Sequence, residues 1–388
     1  MPWRVIGEDE EYMGRDKVEL PGAVVSSVRP RGLNPKRKKA RLKSIVAVDL
    51  FCGVGGLTRG LLDAGVQVVA GYDIAQECRY PYEHNNRPAT FKKKSVSDVT
   101  VEELSSLYPD DCWRVLVGCA PCQPFSRYTQ GLDATSDQKW GLLRHFARLA
   151  EAVKPHVISM ENVSDLQRHS IFHEFVDRLK ALRYETTFSV VFCPDYGVPQ
   201  HRSRLVLFAS LLGPVSILPP THTPDRYPTV RVAIGHLPKL EAGKTSSTDA
   251  LHYSSSLSPL NLRRIRASRP GGTWRDWDEE LVASCHRKRM GKTYPSVYGR
   301  MEWNKPSPTI TTQFYGFGNG RFGHPEQDRA ISLREGAILQ SFPENYKFVK
   351  PGREYCFKTI GRLVGNAVPV RLGEVIGKSI EMHLGKYE

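Results

Sequence analysis

From Ser44 onward the chain alternates short β-branched segments with helical ones, and this alternation constrains the fold more than any other feature. Five segments have the composition of buried strands: SIVAVDL (44–50), VQVVAGYD (66–73), RVLVG (114–118), PHVISMEN (155–162) and RLVLFAS (204–210). Helical patterns lie between them, at about 57–64, from 75, at 139–153 and at 171–182. Because such alternation forms βαβ units, we predict an α/β fold with a mostly parallel sheet.

The alternation also suggests how the chain is divided. Residues 1–43 are polar and end in the basic run RPRGLNPKRKKARLK, which predicts a flexible arm. Between 211 and 325 Pro, Gly, Ser, Arg and Trp dominate, which indicates a loop-rich second domain. Helical patterns return in LREGAILQSF and in VRLGEVIGKSIEMHL. We therefore assign 44–210 and 326–388 to one domain and 211–325 to a smaller one.

The charge balance points to a polyanionic partner. The chain has 55 Lys and Arg against 41 Asp and Glu, a net charge of +14, which favours nucleic acid ahead of an acidic membrane surface. The longest apolar stretch, 205–218, is interrupted by Ser210, Gly213 and Pro214 and is too short to span a bilayer. The N-terminal segment lacks the apolar run of a secretory signal. We expect a cytoplasmic protein without a membrane partner.

The eight cysteines are scattered, and only Cys119 and Cys122 form a C-x-x-C pair. Half of a zinc site and a redox dithiol are both possible interpretations of that pair. The sequence shows no second C-x-x-C or closely spaced His pair at the distance typical of a zinc finger. We expect free thiols and no metal.

The segment DLFCGVGGLTRGLLDAG (49–65) is typical of a strand, a glycine-rich turn and a helix that face a ligand. Thr58 stands where a dinucleotide fingerprint would have its last glycine, which disfavours a nicotinamide enzyme. Asp73 ends the next strand and is placed to bind ribose hydroxyls. A plain strand, turn and helix with a surface aspartate is the alternative.

The segment LVGCAPCQPFS (116–126) carries Cys122 in a loop framed by Pro121 and Pro124. A thiol in such a loop becomes a nucleophile when positive charge stabilises its thiolate. Taken alone, the same pattern also fits a buried, inert cysteine.

Two further segments end or begin strands with charged residues. Glu161 closes PHVISMENV at the edge where parallel sheets bind ligands, although a helix-capping or salt-bridged glutamate is an alternative. In DYGVPQHRSRLVLFAS, Gln200, Arg202 and Arg204 lead into a strand, and the two arginines point to the same side. Solvated arginines before an edge strand are the alternative there.

Together with IGRLVGNAVPVRLGEVIG (360–377), these segments resemble the DNA (cytosine-5) methyltransferase family of bacterial restriction–modification systems. The resemblance covers about 44–210 and 328–380. It implies a Rossmann-like core that uses S-adenosyl-L-methionine, and a target-recognition domain at 211–325. The implied reaction is methyl transfer to carbon 5 of a cytosine flipped out of specific double-stranded DNA. It also implies a cognate restriction endonuclease as a partner and a location at the bacterial nucleoid during action.

The resemblance assigns roles by position. Cys122 is the nucleophile, Glu161 acts at ring nitrogen 3, and Arg204, accompanied by Arg202, contacts the target base. The implied cofactor contacts are Phe51, Gly53, Gly55, Gly56, Leu57, Asp73, Ile74, Asp98, Val99, Pro121, Asn366 and Ala367. The implied DNA contacts are Gln123, Ser126, Gln200 and Arg202.

Two departures from the family pattern remain: Val370 stands where the family often repeats a proline, and the basic arm is long. Two rival functions also remain open. One is a member of the same family that modifies transfer RNA, and the other is a DNA-binding protein that has lost catalysis. The long region 211–325 suits duplex DNA better than RNA, and the presence of Cys122, Glu161 and Arg204 argues against lost catalysis.

Overall fold

The computed structural model describes residues 43–121 and 137–388, whose central feature is a seven-stranded sheet. The strands are β1 (Ser44–Leu50), β2 (Gln67–Asp73), β3 (Thr90–Lys93), β4 (Cys112–Gly118), β5 (Val157–Val163), β6 (Glu185–Phe192) and β7 (Ser203–Ser210). Their order is β3-β2-β1-β4-β5-β7-β6. The first five are parallel, whereas β7 runs antiparallel to both of its neighbours. The predicted α/β fold with a mostly parallel sheet is confirmed.

Helices connect and cover the strands. They are α1 (Gly56–Asp63), α2 (Arg79–Asn85), α3 (Val101–Ser105), α4 (Asp137–Val153), α5 (Ser170–Ala181), α6 (Val230–Ile234), α7 (Pro259–Ala267), α8 (Ser284–Arg287), α9 (Arg289–Lys292), α10 (Leu333–Leu339), α11 (Phe357–Asn366) and α12 (Val370–Leu384). The helices predicted at 57–64, 139–153 and 171–182 are present within two residues of the expected ends. Strands β3 and β6 were not predicted, because β3 is short and β6 is a largely exposed edge strand.

The sheet is covered on both faces, as a central parallel strand requires. Along β1, Val46 and Val48 pack into one apolar layer and Ala47 into the other, following the two-residue period of a strand. One layer contains α4 and α5, and the opposite layer contains α1, α11 and α12. The carboxyl ends of β1, β2 and β4 are consequently held at one edge between two helical layers.

Helices α1 and α12 come from opposite ends of the described chain and pack closely through glycines. A Cβ on Gly60 would lie 2.3 Å from the carbonyl oxygen of Val370, and one on Gly373 would lie 2.9 Å from that of Leu57. These positions therefore exclude larger side chains. The contact brings the segment before α12 to the turn that follows β1.

Residues 211–325 add no strand to the sheet and contain the short helices α6 to α9. A small apolar cluster, separate from the two main layers, consists of Ile265, Trp274, Trp277, Leu281, Val297 and Phe317 from this region together with Ala330 from the segment that follows it. The indole of Trp277 donates a hydrogen bond to Ser268 Oγ (2.9 Å), which satisfies its polar atom. Whether 211–325 is a separate recognition domain stays a prediction.

A buried ionic group, here called the return-loop cluster, lies where the chain leaves this region and comprises His324, Arg329, Ser332 and Glu335. Arg329 and Glu335 are 0% and 1% exposed and form two hydrogen bonds of 2.7 Å. Ser332 caps α10, accepting from the Glu335 amide and donating its own amide to the Glu335 carboxylate. Burial raises the pKa of Glu335, but the hydrogen bonds and charge of Arg329, together with His324 and the Ser332 amide, outweigh burial and lower the pKa to about 2.

His324 is expected to make the protein sensitive to mild acid. Burial lowers the pKa of His324 from 6.5 to about 4. Between these two pH values His324 is therefore protonated in the unfolded chain but neutral in the folded protein. The free energy of unfolding is therefore highest above pH 6.5 and decreases by about 3 kcal/mol as the pH falls towards 4. Urea unfolding at pH 6.5, 5.5 and 4.5 measures this slope.

The matched variant is His324→Asn, whose amide oxygen can still accept from the Glu326 and Gln327 amides that His324 Nδ1 accepts from. It should flatten the slope between pH 6.5 and 4.5. His236→Asn, at a half-exposed histidine, should leave the slope unchanged. Equal slopes in wild type and His324→Asn would contradict the assignment.

Candidate active site

The turn after β1 is rich in glycine and contains several residues with positive φ. Phe51, Gly53 and Gly55 have φ of 62°, 52° and 88°, a left-handed conformation that glycine adopts readily. The Asp73 carboxylate fastens the turn, accepting from the Gly53 amide (3.0 Å) and the Ala75 amide (2.8 Å). The next side chain, Ile74, is 69% exposed. The edge thus presents bare backbone, a carboxylate and an apolar surface side by side.

Buried polar residues support the turn from below. The Thr58 hydroxyl donates to Asp49 Oδ2 (2.6 Å) and lies 3.1 Å from the Tyr82 hydroxyl. Burial raises the pKa of Asp49 to about 7, against the opposing Thr58 hydrogen bond. The Tyr346 hydroxyl donates to the Val54 carbonyl (2.6 Å). Thr58, which departs from the dinucleotide fingerprint, therefore has a structural role here.

The remaining predicted cofactor residues lie at the same edge or on its far wall. A Cβ on Gly56 would come within 2.2 Å of the Val368 carbonyl, so the segment containing Asn366 and Ala367 borders the turn. Asn366 is exposed and Ala367 is half-buried, whereas Leu57 is buried. Asp98 and Val99 follow β3; Asp98 is exposed, and the Val99 carbonyl accepts from Arg148 (3.0 Å). Pro121 is exposed after β4.

A second group, here called the Glu161 cluster, comprises Glu161, Arg204 and Cys119. Glu161 is 2% exposed at the end of β5. Arg204 Nε lies 3.0 Å from Glu161 Oε1, and the Cys119 thiol donates to Oε2 at 2.8 Å. The pairing of β5 with its two neighbours brings these side chains together. Gly118 of β4 is opposite Met160, and Arg204 of β7 is opposite Val163. Glu161 is thus salt-bridged and also lies at the edge of the sheet where the parallel strands have their carboxyl ends.

Asn162 ties β5 to the loop that carries the predicted nucleophile. Its side-chain amide donates to the Ala120 carbonyl (3.0 Å), one residue before Pro121. The loop therefore leaves β4 at a fixed point beside Glu161. Cys122, Gln123 and Ser126 themselves lie outside the described residues.

Gln200 and Arg202 are buried and bonded within the protein. Gln200 donates to Gln340 Oε1 (2.9 Å) and accepts from the Ile310 amide (2.8 Å), and Arg202 donates to the Ile310 carbonyl (3.0 Å). Burial, followed by the nearby Arg204 charge, lowers the pKa of Arg202 to about 9. These contacts join β7 to the segment around Ile310 and the end of α10. Their predicted roles toward DNA stay predictions.

Within 43–121 and 137–388, no group of three or more His, Cys, Asp or Glu side chains is placed to hold a metal ion. In the same residues, no helix has both the length and the apolar character needed to cross a bilayer.

Comparison with known proteins decides the family. The family model of C-5 cytosine-specific DNA methylases matches residues 45–382. The chain belongs to this family. The methylase is 54% identical over 340 residues to the Type II methylase M.HgiDII of Herpetosiphon aurantiacus, covering 87% of this chain and 95% of that protein. It is 30% identical over 355 residues to the Type II methyltransferase M1.HphI of Haemophilus parahaemolyticus, covering 87% of each.

Solved structures agree on the fold. A crystal structure described as a DNA modification methyltransferase from an E. coli prophage superimposes with a TM-score of 0.68 at 22% identity, covering 88% of this chain and all of that one. The S. pombe Dnmt2 methyltransferase superimposes with a TM-score of 0.55 at 16% identity, covering 89% and 100%. The Rossmann-like methyltransferase core is thereby confirmed.

The methylase is accordingly a DNA (cytosine-5) methyltransferase whose substrate is DNA and whose family takes its methyl group from S-adenosyl-L-methionine. The family membership that the sequence motifs implied is confirmed. Sequence reasoning missed the supporting residues Asp49, Cys119, Asn162 and Gln340. Cys119 and Asn162 were adjacent to or within singled-out motifs, and the register of β4 on β5 is the signal that brings them to the loop and to Glu161.

Proposed function

We propose that the enzyme methylates carbon 5 of a cytosine flipped out of a specific double-stranded DNA sequence, through a covalent bond from Cys122 to carbon 6. The observation that supports it most is the Glu161–Arg204 ion pair at the point where the Cys122 loop leaves β4. A buried acid and a cation beside a thiol-bearing loop are the groups that attack on a pyrimidine requires.

Each protein group has a distinct task. Carbon 5 of cytosine is a weak nucleophile, and addition of the Cys122 thiolate to carbon 6 makes it an enamine carbon. Electron density then rises on the ring, where Glu161 supplies a proton or hydrogen bond at nitrogen 3 and Arg204 faces the carbonyl oxygen. Carbon 5 can then bond the methyl group, after which loss of the carbon 5 proton and of the thiolate completes the cycle. Flipping the base costs a few kcal/mol, which DNA contacts must offset.

The turn after β1 fits the methyl donor. S-adenosyl-L-methionine supplies an electrophilic methyl group on a sulfonium centre when bound. A Cβ on Gly53 would meet no protein atom within 4 Å, so the backbone there leaves room for a ligand, while Asp73 offers acceptors to ribose hydroxyls and exposed Ile74 offers an apolar face to adenine. Asn366 and Ala367 would close the opposite side, and Asp98, Val99 and Pro121 would complete the edge.

Replacing Asp73 with alanine should weaken S-adenosyl-L-methionine binding about 10- to 100-fold, the value of lost hydrogen bonds to a charged group. The turn also loses the acceptor for the Gly53 amide. Calorimetric titration of the full chain measures the dissociation constant. Asp63→Ala, at an exposed residue ending α1, is the control. Equal affinities in the two variants would rule out the proposed role of Asp73.

Target recognition is assigned to 211–325, with Gln123, Ser126, Gln200 and Arg202 nearer the reacting base. We also propose that the enzyme works in the cytoplasm, on nucleoid DNA, beside a restriction endonuclease of the same specificity. The Type II name of its 54% identical relative supports that pairing.

Incubation of the purified chain with labelled S-adenosyl-L-methionine and either duplex DNA or transfer RNA tests the function. We expect label in DNA at carbon 5 of cytosine, confined to one short sequence after bisulfite sequencing. Label in transfer RNA alone would favour the RNA-modifying rival. DNA binding without transfer would favour a protein that has lost catalysis.

A further inference from the structure

The two oxygens of the Glu161 carboxylate are held in different ways. Arg204 Nε lies 3.0 Å from Oε1, yet Oε1 has no aligned hydrogen bond among the described residues. Oε2 accepts a hydrogen bond from the Cys119 thiol at 2.8 Å. An ion pair attracts without fixing the carboxyl plane, whereas a hydrogen bond has a preferred direction. In the described part of the chain, Cys119 is thus the group that orients the carboxylate.

The backbone makes this contact rigid. Gly118 is the last residue of β4 in register with β5, opposite Met160. One residue further, Cys119 meets Glu161, and one further still, the Ala120 carbonyl accepts from Asn162. The thiol and the carboxylate therefore sit on two backbones that are joined on both sides of the contact.

A buried acceptor without a hydrogen bond is costly and calls for an explanation. Glu161 Oε1 is such an atom, and it adjoins the cation that is to face the base. Occupation of Oε2 by Cys119 leaves Oε1 as the oxygen available to the substrate.

We propose that Cys119 is a positioning residue for the methyl transfer: its thiol holds Glu161 Oε2, so that Oε1 is the oxygen that carries the proton and donates it in a hydrogen bond to ring nitrogen 3. The inference rests on the proposed role of Glu161. It gives the first cysteine of the C-x-x-C pair a task that is neither metal binding nor disulfide exchange. Cys119 acts through Glu161 and does not touch the reacting atoms.

The test compares two substitutions in the full chain. Cys119→Ala removes the donor, and kcat should fall about three- to ten-fold, the usual effect of one hydrogen bond, with KM for DNA and for S-adenosyl-L-methionine within about two-fold. Cys119→Ser keeps a donor and should restore kcat to within about two-fold of wild type. Equal loss in both variants, or no loss in Cys119→Ala, would overturn the inference. If the alanine variant is too unstable, Cys119→Val replaces it.

A double-mutant cycle separates positioning from packing. In a Glu161→Gln background, single-turnover rates should show no further loss on adding Cys119→Ala, because the residue it positions has changed. A full additional loss would mean that Cys119 acts independently of Glu161. Glu161→Gln alone reports on the proposed function: wild-type activity there would refute the role of Glu161 itself, whereas an impaired Glu161→Gln with a fully active Cys119→Ala would refute only the positioning role.

Discussion

The Cys122→Ser enzyme is expected to lose methyl transfer by about 10³-fold or more while binding S-adenosyl-L-methionine nearly as well as wild type. A thiolate is available near neutral pH, whereas a serine hydroxyl does not ionise there and is a far weaker nucleophile. The turn after β1, with its Asp73 clamp, does not depend on the sulfur. Chemistry and donor binding should therefore separate cleanly in this one variant.

The measurements are label transfer to cognate duplex and calorimetric titration of the methyl donor, both on the full chain. Cys285→Ser, at an exposed cysteine remote in sequence from the motifs, is the control and should keep full activity. A Cys122→Ser enzyme with a rate within ten-fold of the control would refute the covalent mechanism. Loss of both methyl transfer and S-adenosyl-L-methionine affinity would instead indicate that the substitution disrupts the structure of the site.

Replacing Arg329 with methionine should lower the free energy of unfolding by about 3–5 kcal/mol, because it leaves the Glu335 charge buried and uncompensated. The pair is fully enclosed and its two hydrogen bonds are parallel. Glu335 also caps α10 through the Ser332 amide, so its displacement would loosen the start of that helix. Chemical denaturation at pH 7 measures the loss.

Arg371→Met is the matched control, since Arg371 pairs with Glu374 at an exposed surface and should cost less than about 1 kcal/mol. Adding Glu335→Gln to Arg329→Met removes the buried charge while keeping an oxygen for the Ser332 amide. That double variant should recover a large part of the lost stability. Equal losses at Arg329 and Arg371 would contradict the account of the return-loop cluster.

The α/β core was predictable because its signals are local. Strand composition in SIVAVDL, the glycine turn and the helix over 370–384 each depend on a few neighbouring residues, and the observed elements match them. The edge strand β6 was missed because Glu, Thr and Ser interrupt the apolar residues of ETTFSVVF, unlike the continuous apolar runs of the inner strands, although Thr, Val and Phe are themselves typical of strands. Strand β7 was predicted, but its antiparallel direction was not, because strand direction depends on contacts with distant strands.

The individual residues of the site could be predicted from the sequence, but the contacts among them could not. Glu161 and Arg204 were each singled out, yet their ion pair depends on the pairing of β5 with β7, which no local pattern encodes. Gln200 and Arg202 were expected near DNA because the resemblance to the family implied it. Their burial follows from the segment around Ile310, which lies more than about 100 residues away and covers them.

The close packing of α1 against α12 affects how the enzyme folds during its synthesis. The turn that is to receive the methyl donor follows β1, whereas its far wall at Asn366 and Ala367 comes much later in the chain and leaves the ribosome after it. Closing so long a chain segment is slow compared with forming local helices. A nascent chain that has not yet reached α12 should therefore lack a complete donor pocket, and enzymatic activity should begin only after α12 has been made.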